Sequence, residues 1–195
     1  MLAETPETQL AMASSPGFSF SLGDDSRRLK TELLNAQGEL DLAKAQLDRM
    51  HRLFSYSSRY EIGADLTSAI YETALAEGID PELAFRLVNV ESEFNERAVS
   101  PVGAVGLTQL MLPTARYFDK GVTREELFDA RTNLRIGFRY LRGLVKSYKG
   151  DLKLALLVYN RGPVAVEHAL TAGVDPANGY ETLILKGYEG TGLVE

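Results

Sequence analysis

The chain has 195 residues, of which 45% are hydrophobic and 25% are charged, and this composition excludes a wholly disordered, collagen-like or membrane-embedded protein. It contains no cysteine, which excludes disulfides, thiol catalysis and cysteine-ligated metal sites, and its 2 histidines argue against a multi-histidine metal centre. The 21 Lys and Arg residues against 27 Asp and Glu residues give a net charge of −6, which argues against nucleic acid or an anionic membrane as the main partner.

The N-terminal segment, residues 1–25, is rich in Ser, Thr, Pro and Gly and shows no hydrophobic period. This composition predicts a disordered arm. The segment lacks the basic start and apolar centre of a secretory signal. No stretch of the chain has the roughly 18 consecutive apolar residues of a membrane span, so none is predicted.

Residues 26–58 repeat their hydrophobic positions every seven residues. One set is Leu33, Leu40, Leu47 and Phe54, and a second set, four residues earlier, is Leu29, Ala36, Ala43 and Met50. This a/d pattern predicts one long helix with Asp24 or Ser26 as its N-cap. Two interpretations are open: a coiled-coil stalk that forms a homo-oligomer, or an amphipathic helix folded back on its own domain.

The remaining residues, 59–195, are predicted to be helical almost throughout. Hydrophobic positions recur with a helical period between turn residues, and alternating strand patterns are nearly absent. Helix-start signals support this assignment; they are Asp80 followed by Pro81, a capping box of Thr123 and Glu126, and Asp151. The sequence therefore predicts an all-α domain that is long enough to bury a hydrophobic core.

Glu91 is the most informative charged residue of this domain. It continues the apolar stripe, including Leu87, of the helix that Pro81 opens. A carboxyl group on an apolar face is desolvated, which raises its pKa and suits a proton donor; the alternative is a helix-end glutamate that reaches water. Glu93 lies on the opposite face, where we predict an ion pair with Arg97.

Two further polar sites adjoin apolar segments. Gln109 is predicted one turn into a helix that follows a glycine-containing loop, where its amide satisfies a buried backbone group or binds a ligand. Tyr159 and Asn160 end an apolar helix and lie at its polar rim. Taken alone, each site is compatible with an ordinary structural role.

Together, three motifs become recognisable. They are Glu91-Ser92, the run A-V-S-P-x-G-A-x-G-L-x-Q-L-M at residues 98–111, and Y-N-x-G-P at residues 159–163. With these motifs in this order, roughly residues 61–190 resemble the catalytic domain of soluble lytic transglycosylases, the family that cleaves bacterial peptidoglycan. The resemblance implies a lysozyme-like helical fold.

The resemblance also implies roles for single residues. Glu91 corresponds to the family's catalytic acid. The implied substrate-binding residues are Ser100 near the N-acetyl group, Gln109 and Met111 along the groove, Tyr159 close to the acid with Asn160 in support, and Tyr180 closing the groove. Thr108 departs from the methionine that is usual in the family, and we expect a slightly altered contact to one sugar.

The family implies chemistry with one carboxyl group. Most glycosidases use two carboxyl groups, but Glu93 and Glu96 point elsewhere on the helix or past its end. In the family, the single glutamate first protonates the leaving oxygen and then accepts a proton from the muramic acid 6-hydroxyl, so that a 1,6-anhydro ring forms. This chemistry implies no metal or organic cofactor.

The implied partners are peptidoglycan glycan strands, and the implied location is the periplasm or cell envelope. Two alternatives stand beside the lytic reaction. One is a hydrolytic muramidase of the goose-lysozyme type, which activates water. The other is a non-catalytic peptidoglycan-binding assembly protein that oligomerises through residues 26–58.

Overall fold

The structure, a computed structural model, describes residues 22–194, with side chains from Asp25 onward. The predicted disordered arm, residues 1–25, lies outside these described residues except for residues 22–25, which are helical. The first helix begins at Leu22. Asp24 and Ser26 therefore lie within this helix, and the N-cap prediction was wrong.

The described chain is all-α, as predicted. Its helices are α1 (Leu22–Tyr60), α2 (Ala64–Ala76), α3 (Pro81–Ser92), α4 (Leu112–Phe118), a 3₁₀ turn (Glu126–Phe128), α5 (Ala130–Ser147), α6 (Leu152–Arg161), α7 (Pro163–Thr171) and α8 (Tyr180–Leu185). Within residues 22–194, β pairing is limited to isolated bridges. None of the described helices combines the length and the apolar character needed to cross a membrane.

The predicted helix starts are present. The Asp80 carboxylate accepts a hydrogen bond from the Glu82 amide at 2.9 Å, with proline next in sequence. The amide of Glu126 donates to the Thr123 hydroxyl, and the Thr123 amide donates back to the Glu126 carboxylate, which completes a capping box. Asp151 caps α6. One cap was missed: Asp129 accepts a hydrogen bond from the Thr132 amide at the start of α5.

The structure divides into two compact units between Asp48 and Arg49. The first unit, as far as it is described, is the N-terminal part of α1, and all of its described side chains are exposed. The second unit comprises residues 49–60 of α1 and the eight elements that follow.

The core of the second unit forms around α5. This helix packs against α2, α4, α6 and the 3₁₀ turn, while α3 packs between α2 and α8. The largest fully buried side chains come from these elements and the loops between them, and include Phe85, Phe138, Ile70, Leu83, Leu87, Leu107, Leu134 and Leu141. The core thus holds the C-terminal end of α3 in a fixed position.

The last residues of α1 contribute to this core. The ring of Tyr56 stacks on Phe85 with centroids 4.1 Å apart and planes 7° apart, and Tyr60 stacks on the same ring at 5.7 Å. Leu53 also packs against the core. Because Phe85 lies on α3, residues 53–60 of α1 support the helix that carries Glu91.

We predict that Tyr56→Ala lowers the free energy of unfolding by about 2–4 kcal/mol, because it removes a packed aromatic ring from Phe85. Chemical denaturation of the full chain measures this change. Ser55→Ala, one residue earlier on an exposed position of the same helix, serves as the control and is expected to change stability by less than about 0.5 kcal/mol. Equal effects of the two substitutions would contradict a structural role for residues 53–60.

Candidate active site

Glu91 lies in the last turn of α3, on the face that packs into the protein. The preceding residues of this face, Leu87 and Val88, are fully buried. Burial disfavours the charged carboxylate and raises the pKa of Glu91 from its ordinary value of 4.5 to about 7. The predicted desolvation of Glu91 is therefore present, with part of the residue's surface still exposed.

Tyr180 is the direct partner of this carboxyl group. Its hydroxyl donates a hydrogen bond to Oε1 of Glu91. This bond favours the carboxylate and partly offsets the effect of burial on the pKa of Glu91. Burial and the nearby Glu91 charge raise the pKa of Tyr180 well above its ordinary value, so the hydroxyl remains a donor at neutral pH. Tyr180 is the first residue of α8 and is 8% exposed.

Tyr159 approaches Glu91 from α6. Its hydroxyl donates to the Thr108 carbonyl at 2.9 Å, and its ring lies 5.1 Å from that of Tyr140 on α5. The charge of Glu91 is one of the causes, after burial, that raise the pKa of Tyr159. Two neutral tyrosines from different helices thus approach the same carboxyl group.

The two acidic residues that follow Glu91 in sequence lie away from the buried face of α3. Glu93 and Glu96 are both exposed. Glu93 has a left-handed backbone (φ 50°) because α3 ends at Ser92. The predicted ion pair between Glu93 and Arg97 is wrong for this reason: the residues between them are not helical, and the Arg97 guanidinium lies 6.0 Å from the Phe128 ring.

The loop after α3 folds over the end of this helix. The Ser92 hydroxyl lies 2.9 Å from the Leu107 carbonyl and 3.1 Å from that of Val88, which ties the loop to α3. Isolated bridges join Val105 to Val99 and to Leu110. The Ser100 hydroxyl accepts a hydrogen bond from the Ala104 amide at 3.0 Å and closes a turn of this loop.

Gln109 lies in this loop and not in a helix, contrary to the prediction. Its backbone is left-handed (φ 47°), and the next helix begins only at Leu112. Its side-chain amide donates to the Gly106 carbonyl at 2.9 Å. The Gln109 amide nitrogen therefore satisfies a backbone carbonyl group, which is one of the two roles predicted for it.

A buried amide, that of Asn133 on α5, anchors the loop from below. Its Nδ2 donates to the carbonyls of Val105 and Leu127, each at 2.9 Å. Its Oδ1 accepts from the amide and the hydroxyl of Thr108, at 2.8 and 2.7 Å. Thr108 is fully buried, so the expected contact of its side chain to a sugar is wrong.

Two glycines make room for this anchor. A Cβ atom on Gly106, whose φ is +76°, would lie 2.3 Å from Nδ2 of Asn133. A Cβ on Gly137 would lie 2.3 Å from Oγ1 of Thr108. Both distances are far below a van der Waals contact, so a larger residue at either position would displace the loop from α5.

A groove of about 250 Å³ runs beside this site. It is lined by residues of the loop, α4, α5 and the end of α6, among them the predicted Gln109, Met111, Tyr159 and Asn160, together with Tyr140. Met111 is 40% exposed there. The Asn178 side chain links the groove to α8, because its Nδ2 donates to Asn160 and its Oδ1 accepts from the Tyr180 amide.

The structure therefore brings most of the predicted residues together. Glu91, Tyr159 and Tyr180 form one cluster. The groove is lined by four of the predicted residues, namely Gln109, Met111, Tyr159 and Asn160. Ser100 is not among the groove-lining residues. Within residues 22–194, no group of three or more His, Cys, Asp or Glu side chains is arranged to hold a metal ion.

Sequence reasoning missed three residues of the site: Asn133, Asn178 and Tyr140. Asn133 carried a signal, since an asparagine next to the apolar Leu134 on an amphipathic helix needs hydrogen-bond partners. Asn133 and Tyr140 also belong to residues 133–141, which resemble a segment of the family, but no role was predicted for them. Asn178 carried no signal for its bond to Asn160, which is 18 residues away in sequence.

A profile of the transglycosylase SLT domain family matches residues 68–176, more than half of the chain. A transglycosylase of Enterobacteria phage PRD1 is 42% identical over 84 residues, which is 43% of this chain and 30% of that protein. The membrane-bound lytic murein transglycosylase C of Photorhabdus laumondii is 30% identical over 141 residues, 60% of this chain and 40% of that protein.

Solved structures agree in fold. The lytic transglycosylase Slt of Pseudomonas aeruginosa superposes with a TM-score of 0.52 at 26% identity, over 60% of this chain and 22% of that one. The 70 kDa soluble lytic transglycosylase of Escherichia coli gives a TM-score of 0.53 at 24% identity, with the same coverage. The chain thus spans less than half the length of each of these relatives.

We predict that Tyr180→Phe raises the pKa of Glu91 above about 7, because the lost hydrogen bond had favoured the carboxylate. A pH titration of the Glu91 carboxyl carbon by NMR measures this pKa. Tyr188→Phe is the control, because the Tyr188 hydroxyl donates to Asp80 and not to Glu91. A pKa that is unchanged in Tyr180→Phe would show that the hydrogen bond does not act on Glu91.

We further predict that Glu91→Gln makes folding stability less sensitive to pH. The folded-state pKa of Glu91 is raised, so the native state keeps its proton between about pH 4.5 and 7 while the unfolded chain loses it. Stability of the parent chain therefore falls over this range, and the variant gains up to roughly 3 kcal/mol relative to the parent between pH 4 and pH 8. Denaturation at both pH values measures this, with the exposed Glu93→Gln expected to track the parent.

Proposed function

The chain belongs to the transglycosylase SLT domain family, and from this premise we propose that it is a lytic transglycosylase. Its substrate is the β-1,4 bond between N-acetylmuramic acid and N-acetylglucosamine in peptidoglycan strands. The observation that carries this proposal is the Glu91 carboxyl group, which is partly buried, has a pKa raised to about 7 by desolvation and accepts a hydrogen bond from a tyrosine hydroxyl.

In the first step Glu91 acts as the acid. Near neutral pH a substantial fraction of this carboxyl group is protonated, because its pKa lies close to the pH of the reaction. It donates its proton to the glycosidic oxygen, and the bond from this oxygen to C1 of the muramoyl residue breaks. The Tyr180 hydroxyl stabilises the carboxylate that remains.

In the second step the same group acts as the base. The Glu91 carboxylate accepts the proton of the muramoyl 6-hydroxyl, and the oxygen bonds to C1 to form the 1,6-anhydro ring. Glu91 thereby regains the proton that it donated in the first step, and water is not consumed. A pair of carboxyl groups, as most glycosidases use, is not needed for this sequence of steps.

The groove beside Glu91 is proposed to hold the glycan. Met111, Tyr159 and Tyr140 offer apolar surface for sugar rings, and Asn160 and the carbonyl side of Gln109 offer polar groups. Ser100 is proposed to contact the N-acetyl group through its hydroxyl proton, since its oxygen already accepts from Ala104. Tyr180 is proposed to close the groove in the complex with substrate; it is not among the groove-lining residues, and its hydroxyl donates a hydrogen bond to Glu91.

The proposed organisation is an N-terminal arm, a long helix with the observed bounds Leu22–Tyr60 in place of 26–58, and a catalytic domain after it. The end of the helix supports the domain through Tyr56. Because peptidoglycan lies outside the cytoplasmic membrane, we propose that the protein acts in the periplasm or cell envelope.

We predict that Glu91→Gln abolishes release of anhydro-muropeptides from purified peptidoglycan. The amide keeps the size of the side chain but has no proton to transfer, so the loss should exceed the ~10²–10⁴-fold attributed to general acid–base catalysis, because one group serves both steps. Mass spectrometry of the digest measures the products. Binding of the variant to insoluble peptidoglycan is expected to persist.

Glu93→Gln is the matched control, since Glu93 is exposed two residues away, and it should retain activity within a few-fold. Full activity of Glu91→Gln would overturn the single-acid mechanism. Reducing ends in place of anhydro ends would identify a hydrolytic muramidase, and binding without any released fragment would identify a non-catalytic peptidoglycan-binding protein.

A further inference from the structure

The long helix α1 exposes a continuous apolar seam, defined by its a positions (Leu33, Leu40, Leu47, Phe54) and d positions (Leu29, Ala36, Ala43, Met50). The six large side chains of the seam are between 51% and 74% exposed. Such a regular series of exposed leucines is costly in water and is typical of a surface that another helix covers.

The end of α1 shows that the seam is separate from the face that supports the catalytic domain. Leu53 and Tyr56 pack against the core of the second unit. Met50 and Phe54, in the same turns, are 65% and 74% exposed. These turns of the helix can therefore contact their own domain and leave the seam available at the same time.

The residues that flank the seam carry charges of opposite sign. The e positions are Lys30, Gln37, Lys44 and His51, and the g positions are Asp25, Glu32, Glu39 and Gln46. The charged residues at the g positions are all acidic, and the lysines lie at the e positions. Since the e and g residues decide partner and orientation in coiled coils, this pattern selects among arrangements.

In a parallel pair of identical helices, each g residue faces the e residue five positions later on the partner. The pattern then pairs Asp25 with Lys30 and Glu39 with Lys44, and it places no two like charges together. In an antiparallel pair, e faces e and g faces g. Acidic residues would then meet acidic residues, and lysines would meet lysines.

We propose that a second copy of this chain covers the seam, in a parallel, in-register, two-stranded coiled coil. Two strands follow from the narrow seam, because the e and g positions are polar apart from Leu53, which packs on its own domain. The seam spans nearly four heptads, long enough to sustain a coiled coil. This inference uses α1 alone and is independent of the proposed function.

The arrangement has a consequence for binding. Because α1 continues into the second unit at Arg49 in each chain, the two copies of that unit follow the coiled coil at the same end. This consequence, unlike the dimer itself, rests on the proposed function: two glycan grooves on one assembly would raise the effective affinity for a strand that occupies both.

The absence of cysteine allows a direct test on the full chain. In a parallel, in-register pair, each d residue faces itself, so Ala36→Cys and Ala43→Cys should each form a disulfide-linked dimer under mild oxidation. Ala45→Cys is the matched control, because residue 45 lies at the outer f position and should remain uncrosslinked. Non-reducing electrophoresis gives the readout.

An antiparallel pair could bring at most one of positions 36 and 43 against itself, so crosslinking of only one of them overturns the proposal. Light scattering of the unmodified chain at about 100 μM supplies the second measurement. A monomer, as expected if the seam serves a different partner, or a trimer would each overturn it.

Charge exchange tests the orientation without cysteine. Glu39→Lys should weaken the dimer about tenfold in Kd, because both copies of the 39–44 pair become repulsive. Glu39→Lys combined with Lys44→Glu should restore the parent Kd, measured by sedimentation equilibrium. A tighter dimer for Glu39→Lys alone would indicate antiparallel helices and overturn the proposal.

Discussion

Partial burial of the Glu91 carboxyl group at the end of an apolar helix face is the constraint around which the site is organised. Glu91 ends the apolar stripe of α3, and the cost of removing its charge from water raises its pKa to about 7. The neutral Tyr180 hydroxyl donates a hydrogen bond to Glu91, which favours the carboxylate and offsets part of the effect of burial on its pKa. A nearby cation would hold the carboxylate charged, and a nearby anion would hold it protonated. The site thus keeps both states accessible near neutral pH.

This constraint requires a rigid surrounding, and Asn133 supplies it. Its amide forms hydrogen bonds to Val105, Leu127 and Thr108, so that the loop after α3 is fixed to α5 by bonds that are shielded from water. Gly106 and Gly137 permit the close approach. The glycines of the second motif are therefore explained by packing beneath the loop, and the groove above it is formed by Met111, Tyr159 and Asn160.

The helix α1 connects this domain with the proposed self-association. Its last turns present Tyr56 to the core and Phe54 to solvent, so the face proposed for self-association is separate from the face that packs on the domain. Positions 54 and 56 are about 200° apart around the helix axis, so their side chains lie on opposite faces of α1. Catalytic support and association can thus evolve separately along the same element.

The sequence by itself determined the helical class, the caps at Asp80, Thr123 and Asp151, the long helix and the position of Glu91 on an apolar face. These features depend on local periodicity and on hydrogen bonds between residues a few positions apart. The resemblance added the identity of the groove residues and of Tyr180. Only the tertiary structure decided that Gln109 lies in a loop, that Thr108 is buried and that Glu93 and Arg97 are apart, and only it revealed Asn133 and Asn178 as connectors. These outcomes depend on partners as far as 51 residues away in sequence, as in the bond from Tyr159 to Thr108, and no local pattern encodes a partner at that distance.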